Sequence, residues 1–455
     1  METSNGFPKN IESESSTPEQ NDPPVDTAVN LVGDRNDSLE TTPDQPAMEL
    51  PKYIHLAMEQ VAKNQGFNAG QFLLDFQPGS SNGDGFVGEL FKATLTEGGR
   101  RKDFLCKVPP LNEARREQYP VMEIFARETL AYSKFLPLAF SYQEEKGIGR
   151  EDGFFSVPNC FLAECDEVAE ESVIVMEDLR LAGYRMWDKL VPVNYEHARL
   201  VMDQLGRLHA VSLALKRDRP QELAQFKELE PFKELAGADS SFVVMLRKMT
   251  LDAMDTLEPQ ETLERTKLQS MHDNMMQNIE LFSDGAQAEP FTVVAHGDCW
   301  VNNFMFQYVN GTPKNIMLLD WQCLRYVSPV IDLVYFIFCC TDEEFRRCHY
   351  DEMMSIYYHS MATLLEKLGH NPQEVFPRTA LMRQLRKFGS FGLMMAAFLI
   401  PLMSNEELPD MNETAEKFRE EQLVDLTVFT KNTNQTAYRK RMSAVIRDAV
   451  RYGYV

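Results

Sequence analysis

The sequence predicts an α+β fold in which a strand-rich lobe precedes a mainly helical lobe. Up to Met176, short apolar runs separated by turn residues are typical of strands. From about Arg180 onward, most of the chain shows the apolar periodicity of amphipathic helices. Two more strand candidates, residues 291–294 and 316–319, interrupt this helical part and enclose a polar loop. These three observations place the candidate chemistry inside the helical lobe, between two short strands.

The acidic composition of the chain limits its partners. The 455 residues contain 46 Lys and Arg against 69 Asp and Glu, which gives a formal net charge of -23 at pH 7. This charge argues against a nucleic-acid backbone or an anionic membrane as the main partner. Nucleotide phosphates would have to be held locally, by a lysine, backbone amides and a metal ion.

Targeting and membrane signals are weak in this chain. Its start is polar and acidic, without the basic and apolar regions of a signal peptide, which favours a cytoplasmic protein. The longest apolar stretch, residues 388–403, is short for a membrane span and contains Gly389, Gly392 and Pro401, so we predict a buried helix. The eight cysteines form no CxxC pair, as expected of thiols in a reducing compartment.

Three segments are predicted along the chain. Residues 1–46 are rich in acidic residues, Ser, Thr and Pro, and cannot bury enough apolar surface to offset their ordering entropy. We therefore expect this segment to be disordered. Residues 47–178 are expected to form the first lobe, and residues 179–455 the helical second lobe.

The first lobe is predicted to contain a helix at 53–64 and strands at 72–76, 89–95, 103–108, 154–158, 160–163 and 172–176. Between its first two strands lies a turn of small residues whose backbone amides can approach phosphate oxygens: Ser80, Ser81, Asn82, Gly83 and Gly85. No Gly-Lys-Ser/Thr follows, so the turn is not a Walker A loop. An ordinary hairpin turn is the alternative.

Lys107 lies in an apolar strand, where its ammonium group needs an anion unless it reaches solvent. A predicted helix at 119–136 carries two candidate partners, Glu123 and Glu128, of which we prefer Glu128. Such a pair can hold the lysine on nucleotide phosphates. The last strand of this lobe runs into an acidic connector of four residues, Met176, Glu177, Asp178 and Leu179. The connector is suited to a hinge whose backbone meets the edge of an adenine ring. An ordinary strand exit is the alternative.

In the second lobe, helices are predicted at 195–215, 242–257, 262–282, 329–338, 343–368, 378–402 and 413–429. Asp332 is buried by pattern and needs hydrogen-bond donors, for which the backbone amides of the polar loop are candidates. His209 is expected to be a hydrogen-bonded core residue rather than a ligand.

The polar loop carries the most specific arrangement of the chain. Asp298 is followed five residues later by Asn303, and Asp320 closes the next strand candidate. A lone Asp or Asn at a strand end is usually only a turn former. Together, the three residues can supply a base for a hydroxyl and two oxygen ligands for a divalent metal, the parts that phosphoryl transfer needs. We interpret His296 as a scaffold residue of this loop.

Three motifs resemble those of the ecdysteroid kinase-like family, also called CHK-kinase-like or juvenile-hormone-inducible proteins. They are His296-Gly297-Asp298-Cys299-Trp300-Val301-Asn302-Asn303, Leu319-Asp320-Trp321-Gln322 and Val175-Met176-Glu177-Asp178-Leu179. This family is similar to the aminoglycoside and choline kinase-type phosphotransferases. The resemblance covers roughly residues 50 to 425 and implies a protein-kinase-like fold, with a small antiparallel sheet in the N-lobe and a mainly helical C-lobe.

The resemblance also implies an ATP- and Mg²⁺-dependent kinase with an alcohol acceptor. Asp298 would accept the hydroxyl proton or orient the hydroxyl, Asn303 and Asp320 would hold magnesium, and Lys107, positioned by Glu128, would bind the phosphates. Residues 80–85 would cover the phosphates and residues 176–179 would form the hinge. Two departures are present: the turn lacks the GxGxxG pattern of protein kinases, and Trp-Gln replaces Phe-Gly after the metal-binding acid.

The spacing after the metal-binding acid bears on the acceptor. Only residues 321–331 separate Asp320 from Asp332, too few for the activation segment on which protein kinases bind peptides. A small molecule is therefore the favoured acceptor. Abundant Met and Phe in the helices favour an apolar acceptor, such as a steroid-like alcohol, over a polycationic aminoglycoside. The resemblance implies an ecdysteroid or a xenobiotic alcohol. The alternative is a catalytically silent kinase-like protein that binds a hydrophobic ligand or a protein partner.

Overall fold

The structure is a computed structural model that describes residues 48–79, 87–118, 120–230, 240–405, 410–421 and 434–455. The predicted disordered segment 1–46 and the small-residue turn at Ser80–Gly85 lie outside these residues. Within them, the chain forms a β-sheet with its flanking helices, followed by a mainly helical part. The α+β fold class predicted from the sequence is confirmed.

A five-stranded antiparallel sheet forms the first lobe. Its strands are β1 (Leu73–Pro78), β2 (Glu89–Glu97), β3 (Arg100–Val108), β4 (Cys160–Asp166) and β5 (Glu171–Met176), in the spatial order β1-β2-β3-β5-β4. The flanking helices are α1 (Lys52–Asn64), α2 (Glu113–Gln118), α3 (Val121–Leu130) and α4 (Leu136–Glu145). The apolar stripe of α1, including Ile54, Met58 and Val61, packs against Phe104 and Val175 of the sheet. Helix α3 contacts β4 and β5.

The second lobe is built from helices around one large apolar core. Its helices are α5 (Tyr195–Asp218), α6 (Pro220–Leu223), α7 (Ser241–Met254), α8 (Thr262–Asp273), α9 (Met275–Ser283), α10 (Val330–Cys340), α11 (Glu343–Lys367), α12 (Pro372–Val375), α13 (Arg378–Phe388), α14 (Ser390–Met403), α15 (Met411–Glu421) and α16 (Gln435–Arg451). Helix α10 is buried along its whole length and packs against α14. This helix holds the polar loop in place.

Two small sheets position the polar loop within this helical lobe. Their strands are β6 (Tyr184–Met186), β7 (Val293–Ala295), β8 (Phe304–Val309), β9 (Thr312–Leu318) and β10 (Arg325–Val327). Strand β7 pairs with β10, and β8 lies between β6 and β9. The loop from His296 to Asn303 therefore leaves one sheet and enters the other, which fixes both of its ends.

The prediction of a strand at residues 154–158 was wrong. The Gln143 side chain bonds the backbone groups of Phe154 that would otherwise pair with a neighbouring strand. The Gln143 amide donates to the Phe154 carbonyl at 3.0 Å and accepts from the Phe154 N–H at 2.7 Å. Pro158 has no N–H to donate.

The single helix predicted at 119–136 is α3 followed by a π-helical turn, Ala131–Phe135, that continues into α4.

Two long predicted helices are each divided into two. The helix predicted at 262–282 breaks at Asn274, whose side-chain amide donates to the Ser270 carbonyl at 2.7 Å and competes with the helical pattern. The helix predicted at 378–402 breaks at Gly389, where the ring of Tyr454 packs too closely for a side chain. Strands β6, β8 and β10 were not predicted. For β6 and β10 the reason is that three residues carry no measurable periodicity.

The predicted buried helix at 388–403 corresponds to α14, nearly all of whose residues are buried. Within the described residues, no single helix combines the length and hydropathy of a membrane span. The two segments Pro372–Phe388 and Ser390–Met403 are bent by 52° relative to each other. They reach the length and hydropathy of a span only when they are taken together.

Candidate active site

The backbone of the polar loop is held by a buried carboxylate. Asp332, in the first turn of α10, accepts the His296 N–H at 2.9 Å and the Gly297 N–H at 2.8 Å. These are the amide donors named as candidates from the sequence. The fully buried ring of His209 lies 3.1 Å from the same carboxylate. Burial alone would raise the pKa of Asp332, but hydrogen bonds from His209 and from the loop lower it below its usual value.

His296 joins the polar loop to the strand that precedes Asp320. Its Nε2 lies 2.8 Å from the carbonyl oxygen of Leu319, and its Nδ1 accepts the backbone N–H of Asp298 at 3.3 Å. These two contacts assign the proton to Nε2, because a carbonyl only accepts. The ring is buried and packs 4.7 Å from the Trp321 ring. His296 therefore fixes the separation between the segments that carry Asp298 and Asp320.

Gly297 occupies a position that no other residue can fill without backbone movement. Its φ of 84° is in the left-handed region, and an added Cβ would lie 1.9 Å from the carbonyl oxygen of Cys323. Gly311, in the β8–β9 hairpin, has a similar φ of 78° but no described heavy atom within 4 Å of an added Cβ. The two glycines therefore separate the cost of the backbone conformation from the cost of the close approach.

We predict that Gly297→Ala destabilises the protein far more than Gly311→Ala. Adopting the left-handed conformation costs both variants about 1–2 kcal/mol. The clash with Cys323 adds to this in Gly297→Ala and brings its loss to about 3 kcal/mol or more. Urea denaturation of the two variants measures the difference. Equal losses would show that the loop yields easily and that the approach to Cys323 imposes no constraint.

The Asp298 side chain is surrounded by donors. Its Oδ1 accepts the Tyr335 hydroxyl at 2.8 Å, and its Oδ2 accepts the side-chain amides of Asn303 at 2.9 Å and Gln322 at 3.3 Å. Burial raises the pKa of Asp298 and the negative charge of Asp320 raises it further, although the Tyr335 hydrogen bond opposes both effects. A carboxylate with a raised pKa is a better proton acceptor than one with its ordinary pKa.

Asn303 and Asp320 lie on adjoining segments of the chain. The Asn303 amide nitrogen donates to Asp298, so its Oδ1 is directed elsewhere, and among the described residues no donor contacts that oxygen. The Leu319 N–H donates to the Asn303 carbonyl at 2.9 Å, which places Asn303 beside the segment ending in Asp320. Asp320 has a φ of 61°, an uncommon conformation for a non-glycine residue that is often retained at functional sites.

Lys107 connects the sheet to the helical lobe. Its ammonium nitrogen lies 2.6 Å from Glu128 Oε2 and 2.7 Å from Asp320 Oδ1. Burial would lower the pKa of Lys107, but attraction to Asp320 and Glu128 outweighs it and raises the pKa above its usual value. Burial is the largest effect on Glu128 and raises its pKa to about 7. The positive charge of Lys107 lowers this pKa, but the negative charge of Asp320 partly offsets that lowering. Glu123 is exposed, so Glu128 is the partner of Lys107.

The connector after β5 is held by polar side chains. The Glu177 N–H donates to the Asn159 carbonyl at 2.9 Å, while the Asp178 carboxylate binds Arg180 at 2.7 and 2.9 Å. The Arg180 guanidinium also donates to the Gly79 carbonyl at 2.7 Å. Met176 and Leu179 are buried at either end of the connector. The Asp178 carboxylate is bound to Arg180. Backbone groups of the connector are therefore the candidate contacts for the adenine ring of a nucleotide.

Asn303 and Asp320 carry side-chain oxygen atoms of the kind that could hold a magnesium ion. The Asn303 amide oxygen and the Asp320 carboxylate are the hard oxygen ligands that Mg²⁺ prefers, and magnesium is usually bound by one or two such groups plus substrate phosphates. Among the described residues, no group of three or more His, Cys, Asp or Glu side chains forms a metal site. A small protein ligand set of this kind relies on the nucleotide to complete the coordination.

Two side chains that contact Asp298 were not predicted from the sequence. Gln322 belongs to a motif identified there, but no role was assigned to it. Tyr335 lies one helical turn after Asp332, where it carries a hydroxyl group in an otherwise apolar stretch of α10. That single polar group next to a functional acid is the signal that would have identified it.

Comparison with known proteins assigns the chain to a family. The sequence profile described as the ecdysteroid kinase-like family matches residues 82–370. No curated protein shows significant similarity to the chain. Among solved structures, the GDP and kanamycin complex of APH(2")-IIia matches with 12% identity and a TM-score of 0.36, covering 81% of this chain and 98% of that one. The GDP complex of wild-type aminoglycoside 2'-phosphotransferase-IIIa matches with 10% identity and a TM-score of 0.40, covering 86% and 99%.

Proposed function

This chain belongs to the ecdysteroid kinase-like family, and we propose that it is an ATP- and Mg²⁺-dependent kinase of a small lipophilic alcohol, such as an ecdysteroid or a xenobiotic alcohol. The observation that carries this proposal is one connected cluster. Asp298 contacts Asn303, the backbone of Asn303 contacts the segment that ends in Asp320, and Asp320 contacts Lys107. A base, two metal ligands and a phosphate-binding cation are therefore adjacent.

The proposed reaction transfers one phosphoryl group to the acceptor and one proton to Asp298. The oxygen of the acceptor hydroxyl forms a bond to the γ-phosphorus of ATP, and the bond from that phosphorus to the oxygen bridging to the β-phosphate breaks. ADP leaves, and the hydroxyl proton passes to Asp298, which later releases it to solvent. The protein contributes mainly by positioning groups and neutralising charge.

Each residue has one task in this reaction. Asp298 orients the hydroxyl and takes its proton. Asn303 and Asp320 would hold magnesium, which would supply positive charge to neutralise the transferred phosphate. Lys107, held by Glu128, binds the phosphates.

The remaining residues place these groups. His296 and Asp332 hold the loop that carries Asp298. The backbone of residues 176–179 would meet the adenine.

The segment after Asp320 supports a small acceptor rather than a peptide. Between Asp320 and α10 the chain forms one short helical turn, Trp321–Cys323, and then β10, which pairs with β7. Trp321 and Arg325 are fully buried. This segment is therefore occupied in supporting the loop and offers no extended surface for a protein substrate.

Incubation with γ-labelled ATP, Mg²⁺ and a panel of alcohols tests the proposal, with products analysed by mass spectrometry. The panel should include ecdysone, other steroid alcohols, xenobiotic phenols and alcohols, and kanamycin as a polar comparison. We expect an apolar alcohol to gain one phosphoryl group as ADP forms, and kanamycin to remain unchanged. Thermal stabilisation by MgATP without any phosphorylated product would instead support the catalytically silent alternative.

A further inference from the structure

Helix α10 holds the polar loop at two points one helical turn apart. Asp332 accepts the backbone amides of His296 and Gly297, and Tyr335 donates its hydroxyl to the Asp298 side chain. One rigid, fully buried helix thus sets both the path of the loop and the orientation of the carboxylate within it. The first contact explains the loop conformation, whereas the second is not needed for it.

We infer that Tyr335 is a positioning residue for phosphoryl transfer, one that fixes the Asp298 carboxylate and presents its Oδ1 atom to the acceptor hydroxyl. This inference rests on the proposed function, because it assigns Tyr335 a task within that reaction. It adds a specific residue, a specific oxygen atom and a direction of approach.

The distribution of donors around Asp298 identifies the reactive oxygen. Each carboxylate oxygen can accept about two hydrogen bonds. Oδ2 already accepts two, from Asn303 and from Gln322. Among the described residues, Oδ1 accepts one, from Tyr335 at 2.8 Å. The remaining acceptor position on this carboxylate is therefore on Oδ1, and the acceptor hydroxyl is expected to donate there.

Tyr335 is held so that its hydroxyl stays protonated and donates to Asp298. Burial and the adjacent Asp298 charge raise the pKa of the Tyr335 hydroxyl well above its usual value, so it keeps its proton. Its ring packs edge-on against Phe391, with the centroids 6.1 Å apart, and the side chain is 2% exposed. With ring and proton both fixed, the hydroxyl holds the Asp298 carboxylate in one rotamer.

The test compares Tyr335→Phe with Tyr142→Phe by measuring kcat and the KM for MgATP from ADP formation, with ecdysone present and with water as the alternative acceptor. Tyr142 is a matched control because its hydroxyl also donates to a carboxylate, Asp218, at 2.8 Å from a buried ring. We expect Tyr335→Phe to lower kcat about 10- to 100-fold, as for loss of a hydrogen bond to a charged group. The KM for MgATP should stay nearly unchanged. Tyr142→Phe should leave both kcat and KM unchanged.

A double-mutant comparison separates positioning from a general structural effect. In an Asp298→Asn background the carboxylate is absent, so adding Tyr335→Phe should not lower the residual rate further. If Tyr335→Phe lowers the rate equally in both backgrounds, or leaves kcat unchanged in the otherwise wild-type enzyme, the inference is overturned. If the wild-type protein forms no ADP while MgATP binds, the proposed function itself fails, and this inference fails with it.

Discussion

Replacing Asp298 with Asn is expected to lower kcat about 1,000-fold while MgATP binding remains within about twofold of the wild-type affinity. The change keeps the size of the side chain and removes the group that takes the proton. Because Asn303, Asp320 and Lys107 keep their places, nucleotide binding should survive. Product formation measured by mass spectrometry and MgATP binding measured by calorimetry test the two halves of this expectation separately.

Asp218→Asn is the matched control for this variant. Asp218 also accepts a tyrosine hydroxyl at 2.8 Å, but its partners Tyr142, Lys146 and His370 lie outside the site. Its substitution should leave kcat unchanged. A fully active Asp298→Asn variant would remove Asp298 from the chemistry, and a parallel loss of MgATP binding would show that its role is in the nucleotide site instead.

Replacing Asp320 with Asn is expected to abolish the dependence of ATP binding on Mg²⁺ and to lower kcat at least about 1,000-fold. Asp320 is the only charged protein ligand that we assign to the metal, and metal neutralisation of the transferred phosphate supplies several kcal/mol of stabilisation. Asparagine tolerates the left-handed backbone found at this position, with its φ of 61°, so the fold should be retained. Calorimetric titration of ATP with and without Mg²⁺ measures the effect.

Glu128→Gln provides the comparison for Asp320→Asn. Both variants remove one of the two carboxylates that contact Lys107 at 2.6–2.7 Å. If Asp320 holds magnesium, only Asp320→Asn loses the response to Mg²⁺. Glu128→Gln should weaken ATP binding about tenfold and keep that response. Identical behaviour of the two variants would mean that Asp320 acts only as a counterion for Lys107.

Much of the candidate site could be predicted because its residues lie in short local motifs. Asp298 and Asn303 share one loop, and Asp320 ends a nearby strand, so their spacing together with the family resemblance made them candidates for one site. The pairing of Lys107 with Glu128 required the choice of one of two acids, and burial of one face of α3 explains that choice, because Glu128 faces the core and Glu123 faces solvent. Asp332 was identified because a buried acid in an apolar helix needs donors.

Tyr335 and the irregular segments could not be predicted in the same way. Tyr335 and Asp298 are 37 positions apart in the sequence, and no local pattern relates a hydroxyl on a helix to a carboxylate on a distant loop. The wrong strand at 154–158 has a similar cause, since its backbone partner is the side chain of Gln143 on a preceding helix. Local periodicity predicts elements well, whereas tertiary hydrogen bonds decide where elements stop and which polar groups meet.

The most direct test of this account is a crystal structure with a non-hydrolysable ATP analogue and Mg²⁺. We predict a metal ion within about 2.1 Å of both the Asn303 amide oxygen and the Asp320 carboxylate, with Lys107 moved from Asp320 onto a phosphate. The γ-phosphate should face Oδ1 of Asp298. A nucleotide bound elsewhere, or a metal that contacts neither Asn303 nor Asp320, would contradict the central claim that these side chains form one phosphoryl-transfer site.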